Sequence, residues 1–110
     1  TGPHLHFSVI VNGNYVNPRS YLGKRLAWPI NGYSVSQEYG KPNWNAAYSF
    51  HNGIDLVANA GYGAPIVAAA DGTIIEPFPQ YNGWMPSGYG HYVVIDHGNG
   101  IWTLYGHMIR

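Results

Sequence analysis

Short runs of alternating hydrophobic and polar residues, separated by turn-forming pairs, recur along this chain. Residues 5–11 follow this pattern and predict a strand, which turns at Asn12-Gly13 into a second short strand at Tyr15-Val16. The Asn-Gly pair favours a two-residue hairpin because both of its positions tolerate a positive φ. Helical periodicity is almost absent. The pattern therefore predicts an all-β domain built mainly on antiparallel sheet.

Two more hairpins are predicted further along, each from two strand-like runs around a glycine-containing turn. Between the hairpins, residues 37–50 and 77–90 are long, irregular and rich in aromatic side chains. We interpret both as surface loops flanking a groove, because long loops often carry function. The two hairpins comprise residues 65–70 and 73–76 around Asp71-Gly72, and residues 92–96 and 101–105 around residues 97–100.

Composition limits the class of protein. A chain of 110 residues predicts a single domain, residues 1–110, with a modest core. The formal net charge is zero and 9% of residues are charged, which argues against a nucleic-acid-binding surface. The chain has no cysteine, so disulfides and thiolate metal sites are excluded. No apolar run approaches the roughly twenty residues that span a bilayer, so no membrane span is predicted.

Two segments carry the residue types that bind zinc. His4 and His6 stand two apart at the start of the first strand-like run, so on an extended chain their side chains share one face. His51 and Asp55 stand four apart and can also converge; Gly53 between them disfavours a helix, so we expect a loop entering a strand. A catalytic zinc needs three protein ligands and one open position. Taken singly, His6 could equally be a half-buried strand histidine, and Asp55 a turn-capping carboxylate.

These segments, with their neighbours, resemble the lysostaphin-type (LytM-type) zinc metallopeptidases. The enzymes of that family are secreted and hydrolyse peptide bonds in bacterial peptidoglycan. A lone H-x-H or H-x-x-x-D would be weak, but several matching segments with the right internal spacings are specific. The matching segments are residues 1–7 with the H-x-H, residues 51–56 with the H-x-x-x-D, residues 64–73, residues 88–98, and residues 104–107 with a Y-x-H.

The resemblance implies an enzyme with one zinc, held by His6, His51 and Asp55, and with His4 and His107 as the catalytic pair. Zinc lowers the pKa of a water it binds to about 7, so a nearby imidazole can take the proton. A protonated imidazole can also stabilise an oxyanion or protonate the leaving amine. The base and acid roles of His4 and His107 stay unassigned, and His107 could instead be a frayed end residue.

Aromatic residues are the predicted substrate contacts. Tyr39 precedes the H-x-x-x-D segment, and its hydroxyl could donate to the oxyanion; a packed loop tyrosine is the alternative. Tyr105 lies two residues before His107, on the same face of the predicted strand, and is expected to form a groove wall or to support the site. His91 and His97 are expected to be structural. The loop aromatics that could bind an extended peptide, or instead pin their loops to the sheet, are Trp44, Tyr48, Tyr81 and Trp84.

The order of the segments departs from the family. Residues 1–22 resemble its C-terminal segment, whereas residues 25–110 resemble its N-terminal and central parts. A circular permutation, a fragment spanning a tandem junction, and an incomplete or rearranged sequence would each produce this order. We expect one folded chain to assemble the whole site, as a monomer. The alternative is a strand-exchanged dimer, in which residues 1–11 complete the site of a second copy.

Three functions compete. The first is a secreted zinc endopeptidase acting at the cell wall on stem or cross-bridge peptides of peptidoglycan. The second is a non-catalytic LytM-like regulator or cell-wall binding module. A degenerate member would lack at least one of the candidate ligands or catalytic histidines, and all of these are present here. A zinc peptidase of the D-alanyl-D-alanine type has a longer H-to-D spacing, which argues against that assignment.

Overall fold

The computed structural model describes residues 4–40, 50–61, 63–75 and 91–108. Within these ranges the regular structure is strand, apart from a 3-10 turn at Pro18–Ser20. The predicted all-β, antiparallel class is confirmed. The strands are β1 (Leu5–Val11), β2 (Asn14–Val16), β3 (Tyr33–Gln37), β4 (Ile54–Ala58), β5 (Thr73–Ile74), β6 (His91–Asp96) and β7 (Ile101–Met108).

Strand β1 lies in the middle of the sheet that these strands form. The strand order is β3-β4-β1-β7-β6-β5, and every pairing is antiparallel. One edge of β1 is shared by two partners: β4 pairs with its first half and β2 with its second half. The other edge pairs with β7 along almost the whole strand. The H-x-H strand therefore separates the strand that carries Asp55 from the strand that carries His107.

Alternation along β1 sends its side chains to two different faces. Leu5, Phe7 and Val9 point to the main core and are at most 2% exposed. Full burial of such side chains contributes about 1.5–3 kcal/mol each. His6 and Ser8 point to the opposite face, which we call the site face, and they are also buried. The other buried members of the main core are Leu22, Leu26, Ile30, Ile54, Leu56, Ala69, Ile95 and Tyr105.

A second, smaller cluster covers part of the site face. It consists of Tyr92, Val94 and Leu104, with Ile75 packed against it. The register places Leu104 opposite both Ser8 on β1 and Val94 on β6. This cluster therefore continues the site face beyond Ser8 and helps to exclude water from it.

Two predicted hairpins are present as expected. Asn12 and Gly13 have φ values of 51° and 86°, which suits the two-residue turn joining β1 to β2. Strands β6 and β7 pair around residues 97–100, as predicted. Strand β3 was not predicted, although its residues alternate between half-buried and exposed.

The hairpin predicted around Asp71-Gly72 is wrong. Strand β5 follows this turn as expected, but it pairs with β6, and residues 65–70 form no strand. Those residues bond instead to the connection after β2: the Val67 amide donates to the Pro29 carbonyl, and the Ala69 carbonyl accepts from Ala27. A distant segment thus satisfies the backbone groups that a hairpin partner would have used.

Most of the two predicted loops lies outside the described residues, including Trp44, Tyr48, Tyr81 and Trp84. Their predicted substrate contacts therefore stay predictions. In the part of the chain that the structure describes, no helix is long and apolar enough to cross a membrane.

Candidate metal centre

Three side chains predicted to bind zinc converge on the site face. His6 Nδ1 lies 3.0 Å from Asp55 Oδ1, and His51 Nε2 lies 3.2 Å from the same oxygen. One ligand atom from each residue falls within 4.8 Å of the other two. All three residues are buried, with between 5% and 9% of their surface exposed. A single chain therefore places both halves of the candidate site together.

Backbone pairing positions these three residues. His6 on β1 stands directly opposite Asp55 on β4, so alternation points both side chains to the same face. His51 precedes β4, where its amide and carbonyl bond reciprocally to Gly40 at 2.8 Å. Residues 51–53 thus connect this bridge to β4, which agrees with the predicted loop entering a strand.

Gly53 allows the two segments to approach closely. A Cβ atom at this position would lie 2.5 Å from the Phe7 carbonyl oxygen, 2.6 Å from Ser8 Oγ and 2.7 Å from His6 Nε2. Because the first of these contacts is to backbone, a larger residue could not be accommodated by a simple rotamer change. Gly53 is thus required for packing and not for an unusual φ.

Hydrogen bonds determine which nitrogen of each imidazole carries its proton. His51 Nδ1 lies 2.9 Å from the Glu38 carbonyl, which can only accept, so Nδ1 is the donor. Ser8 Oγ donates its hydrogen to the Asn52 carbonyl at 3.1 Å, so it accepts from His6 Nε2 at 2.7 Å. In the neutral rings, His51 Nε2 and His6 Nδ1 therefore direct lone pairs toward Asp55.

Three electron-pair donors that face one another require a cation between them, either a proton or a metal ion. Burial lowers the pKa of His51, but the hydrogen bonds to Asp55 and to the Glu38 carbonyl outweigh it and raise the pKa overall. Burial raises the pKa of Asp55, but the hydrogen bonds that His51 and His6 donate to it when they are protonated outweigh burial and hold that pKa well below its usual range. Two imidazoles and one carboxylate also match the ligand types of a catalytic zinc.

His4 and His107, the predicted catalytic pair, lie beside this centre. Their rings are 4.7 Å apart, and His4 Nε2 is 3.8 Å from Asp55 Oδ2. The His107 ring is also 6.3 Å from that of His6. Partial desolvation, followed by the nearby His4 and His6, lowers the pKa of His107 despite the opposing effect of Asp55. A lowered pKa favours the neutral imidazole, which can accept a proton.

A β-bulge brings His107 to the site face. Three residue steps on β7, from Tyr105 to Met108, pair with two steps on β6, from Val93 to His91. The extra residue reverses the alternation, and His107 has a φ of 61°, a rare value for this residue type. Tyr105 faces Phe7 in the core, whereas His107 is exposed beside His4. The prediction that Tyr105 and His107 share a face is therefore wrong.

Tyr105 is a core residue and not a groove wall. It is 2% exposed, its ring packs on Phe7 at 5.3 Å, and its hydroxyl accepts from the Ala69 amide at 2.9 Å. That hydroxyl also lies 2.7 Å from Thr103 Oγ1, which in turn lies 2.7 Å from His97 Nε2. This buried position leaves no surface for a substrate, so the predicted binding role does not agree with the structure.

The chain of hydrogen bonds continues to the turn before β5. His97 Nδ1 donates to the Asp71 carbonyl at 2.8 Å, so its Nε2 accepts from the Thr103 hydroxyl. The Thr103 oxygen is then the acceptor for Tyr105. These bonds pin residues 69–71 to β7, which agrees with the structural role expected for His97.

The Tyr39 hydroxyl donates to the Tyr15 carbonyl at 3.3 Å, and its ring meets Phe50 edge-on at 5.1 Å. Tyr39 lies next to Glu38 and Gly40, whose backbone groups hold His51. Its predicted contact with an oxyanion stays a prediction, and in this structure the residue packs as a loop tyrosine.

The sequence profile of peptidase family M23 matches residues 49–110, more than half of the chain. The chain belongs to peptidase family M23. The matched segment contains His51, Asp55 and His107, whereas His4 and His6 lie outside it. In this family M23 chain, His4 and His6 are brought beside the matched residues by the pairing of β1 with β4 and β7.

Similar curated proteins are named DD-carboxypeptidase/endopeptidase Mpg. Those from Neisseria meningitidis serogroup B (strain ATCC BAA-335 / MC58) and Neisseria gonorrhoeae (strain ATCC 700825 / FA 1090) are each 43% identical to this family M23 chain over 61 residues. The alignment covers 56% of this chain and 12% of each relative, so the chain spans a small part of their length. No solved structure matches it.

Sequence reasoning missed the groups that orient the imidazoles of this family M23 chain. Ser8 was identifiable, because it stands two residues after His6 on an alternating strand and so shares its face. The other acceptors are the backbone carbonyl groups of Glu38 and Asn52, and no residue type in the sequence indicates them. Their roles follow from the close approach of β1, β4 and the bridge at His51.

Proposed function

We propose that this chain is a zinc-dependent endopeptidase that hydrolyses peptide cross-links in bacterial peptidoglycan. The observation that carries the proposal is the convergence of His6 Nδ1, His51 Nε2 and Asp55 Oδ1, with both imidazole lone pairs directed inward. Membership of a peptidase family supports hydrolysis of peptide bonds. The name of the relatives, DD-carboxypeptidase/endopeptidase, supports the substrate class.

In this proposal His6, His51 and Asp55 hold one zinc ion. When bound, zinc polarises a scissile carbonyl and makes a water molecule acidic enough to attack it near neutral pH. The protein contributes burial, which strengthens electrostatic interactions, and fixed tautomers, which keep two lone pairs available. Asp55 supplies a negative charge that favours the ion over a neutral occupant.

His4 and His107 are the groups proposed to move protons. Their rings lie 4.7 Å apart on the side of the centre away from Ser8, where His107 is exposed and can reach a substrate. A neutral imidazole takes the proton from the attacking water, and a protonated one donates to the leaving amine. The lowered pKa of His107 makes it the better candidate for the base. His4, at 3.8 Å from the Asp55 carboxylate, is then the acid.

The proposal treats residues 1–110 as one domain with a permuted order of motifs. Support comes from the sheet, in which β1 fills the space between β4 and β7 within one chain. We also propose that the protein acts outside the cytoplasmic membrane, at the cell wall, because that is where peptidoglycan lies.

The test combines metal analysis with mass spectrometry of fragments released from purified peptidoglycan. The wild type should bind one zinc per chain and release cross-link fragments, and a chelator should stop the release. Asp55→Ala removes one of three ligands and should lose both stoichiometric zinc and activity. An Asp55→Ala chain that retained stoichiometric zinc would show that the ligand assignment is wrong. A wild type that bound zinc but released nothing would favour a non-catalytic regulator.

A further inference from the structure

We propose that Ser8 is a positioning residue that selects the metal-binding tautomer of His6. The proposal deepens the proposed function, since it concerns how the same centre is kept ready for an ion. Ser8 does not touch the ion or the substrate in this account. It acts through the imidazole of His6, two residues earlier on β1.

Only one orientation of the hydroxyl hydrogen of Ser8 satisfies both contacts of its oxygen. Oγ donates to the Asn52 carbonyl at 3.1 Å and lies 2.7 Å from His6 Nε2. A hydroxyl has one hydrogen, so with that hydrogen directed to a carbonyl the oxygen can only accept from the imidazole. Ser8 is fully buried and His6 is 5% exposed, so water competes little for these bonds. Ser8 therefore favours the proton of neutral His6 on Nε2, in competition with Asp55 Oδ1, which lies 3.0 Å from Nδ1.

The same hydroxyl links the two segments that form the centre. Ser8 belongs to β1, whereas Asn52 lies between His51 and Asp55. Gly53 makes this link short, because the space that a Cβ atom would need there is already filled by Ser8 Oγ and His6 Nε2. Ser8 thus fixes the rotation of the His6 ring and ties it to the H-x-x-x-D segment.

Loss of the hydroxyl would favour the wrong tautomer. Without Ser8 Oγ, the buried Nε2–H group of His6 loses this acceptor, and the loss of a buried hydrogen bond costs free energy. Transfer of the proton to Nδ1 restores a partner, because Asp55 Oδ1 lies only 3.0 Å away. That tautomer satisfies the pair in the absence of metal and removes the lone pair that would bind zinc. Zinc must then displace a proton that Asp55 holds in place.

The first test needs neither zinc nor activity. Histidine ring nitrogens in metal-free, ¹⁵N-labelled protein report which nitrogen is protonated, at a pH high enough for neutral imidazoles. We expect His6 to be protonated at Nε2 in the wild type and to shift toward Nδ1 in Ser8→Ala. A wild type protonated at Nδ1 would overturn the proposal without recourse to any variant.

The second test measures zinc affinity by competition with a chelator. Loss of a group that orients a metal-bound histidine typically costs about 10–100-fold in affinity. We expect that loss in Ser8→Ala and not in Ser34→Ala, a matched serine-to-alanine change on the exposed side of β3. A folded Ser8→Ala protein with wild-type affinity and an Nε2 proton would overturn the proposal. If the wild type bound no zinc, the proposed function would fail, and the nitrogen spectra would still decide the role of Ser8.

Discussion

Tyr105→Phe should destabilise the fold while leaving the chemistry of the folded protein intact. The substitution removes one oxygen from a site that is 2% exposed, and with it the bonds to the Ala69 amide at 2.9 Å and to Thr103 at 2.7 Å. The ring, which packs on Phe7, is unchanged. The effect therefore isolates the hydroxyl.

The magnitude follows from the groups left behind. Each lost bond contributes about 0.5–1.5 kcal/mol net, and a buried donor left unsatisfied costs about 1–3 kcal/mol. The Ala69 amide is such a donor, since Ala69 is 4% exposed. We expect a loss of about 2–4 kcal/mol in the free energy of unfolding, a large fraction of the stability of a small domain.

Urea unfolding followed by tryptophan fluorescence measures this loss. Tyr33→Phe is the matched control: its ring stacks on Trp28 at 4.3 Å, and the change should stay within about 0.5 kcal/mol of wild type. Release of peptidoglycan fragments is then measured below the unfolding transition. Wild-type stability combined with reduced turnover would refute the assignment of Tyr105 to the core and restore its predicted place in the groove.

Three further predictions concern the site and the core. His4→Ala and His107→Ala should each retain stoichiometric zinc but lose about 10²–10⁴-fold in turnover, as expected for proton-transfer groups; loss of the metal in either variant would make that histidine a ligand. Gly53→Ala should cost about 1–3 kcal/mol in urea unfolding, because its Cβ meets backbone at 2.5 Å; near-wild-type stability would contradict the packing described. Burial raises the pKa of Tyr105, although the bonds to Thr103 and Ala69 oppose it. The folded-state pKa therefore exceeds the unfolded value of about 10, so stability is fully present below about pH 10 and falls as the pH rises beyond it. The free energy of unfolding, measured as a function of pH, should fall less at high pH in Tyr105→Phe than in the wild type. The same pH dependence in both proteins would contradict a raised pKa at Tyr105.

Local signals explain what could be predicted from the sequence. The β1–β2 hairpin depends on alternation and on Asn12-Gly13, which are adjacent in the chain. The meeting of His6 with Asp55 was instead predicted from the family resemblance, and the structure produces it by pairing β1 with β4 so that the two residues stand opposite each other.

The errors share a different origin. Residues 65–70 look like a strand, but their backbone groups bond to residues 27–29, which no local pattern indicates. His107 leaves the face of Tyr105 because of a bulge with a φ of 61°, a conformation that histidine rarely adopts. Strand β3 is the exception, since the alternation of Tyr33, Val35 and Gln37 with serines is itself a local strand signal.

The central place of β1 also has a consequence for the order of folding. Its pairing with β7 joins residues whose numbers differ by 90, at Val11 and Ile101, to 100, at His6 and Gly106. At roughly 5–20 residues per second, a ribosome makes β7 roughly 5–20 s after β1. During that interval β1 can pair with the three residues of β2 and, once residues 54–58 have been made, with β4, but its other edge stays unpaired. Its apolar row, Leu5, Phe7 and Val9, then borders an open strand edge, which is the arrangement most prone to association with other chains. The strand that completes the site face is thus the one that nascent chains most need to have shielded.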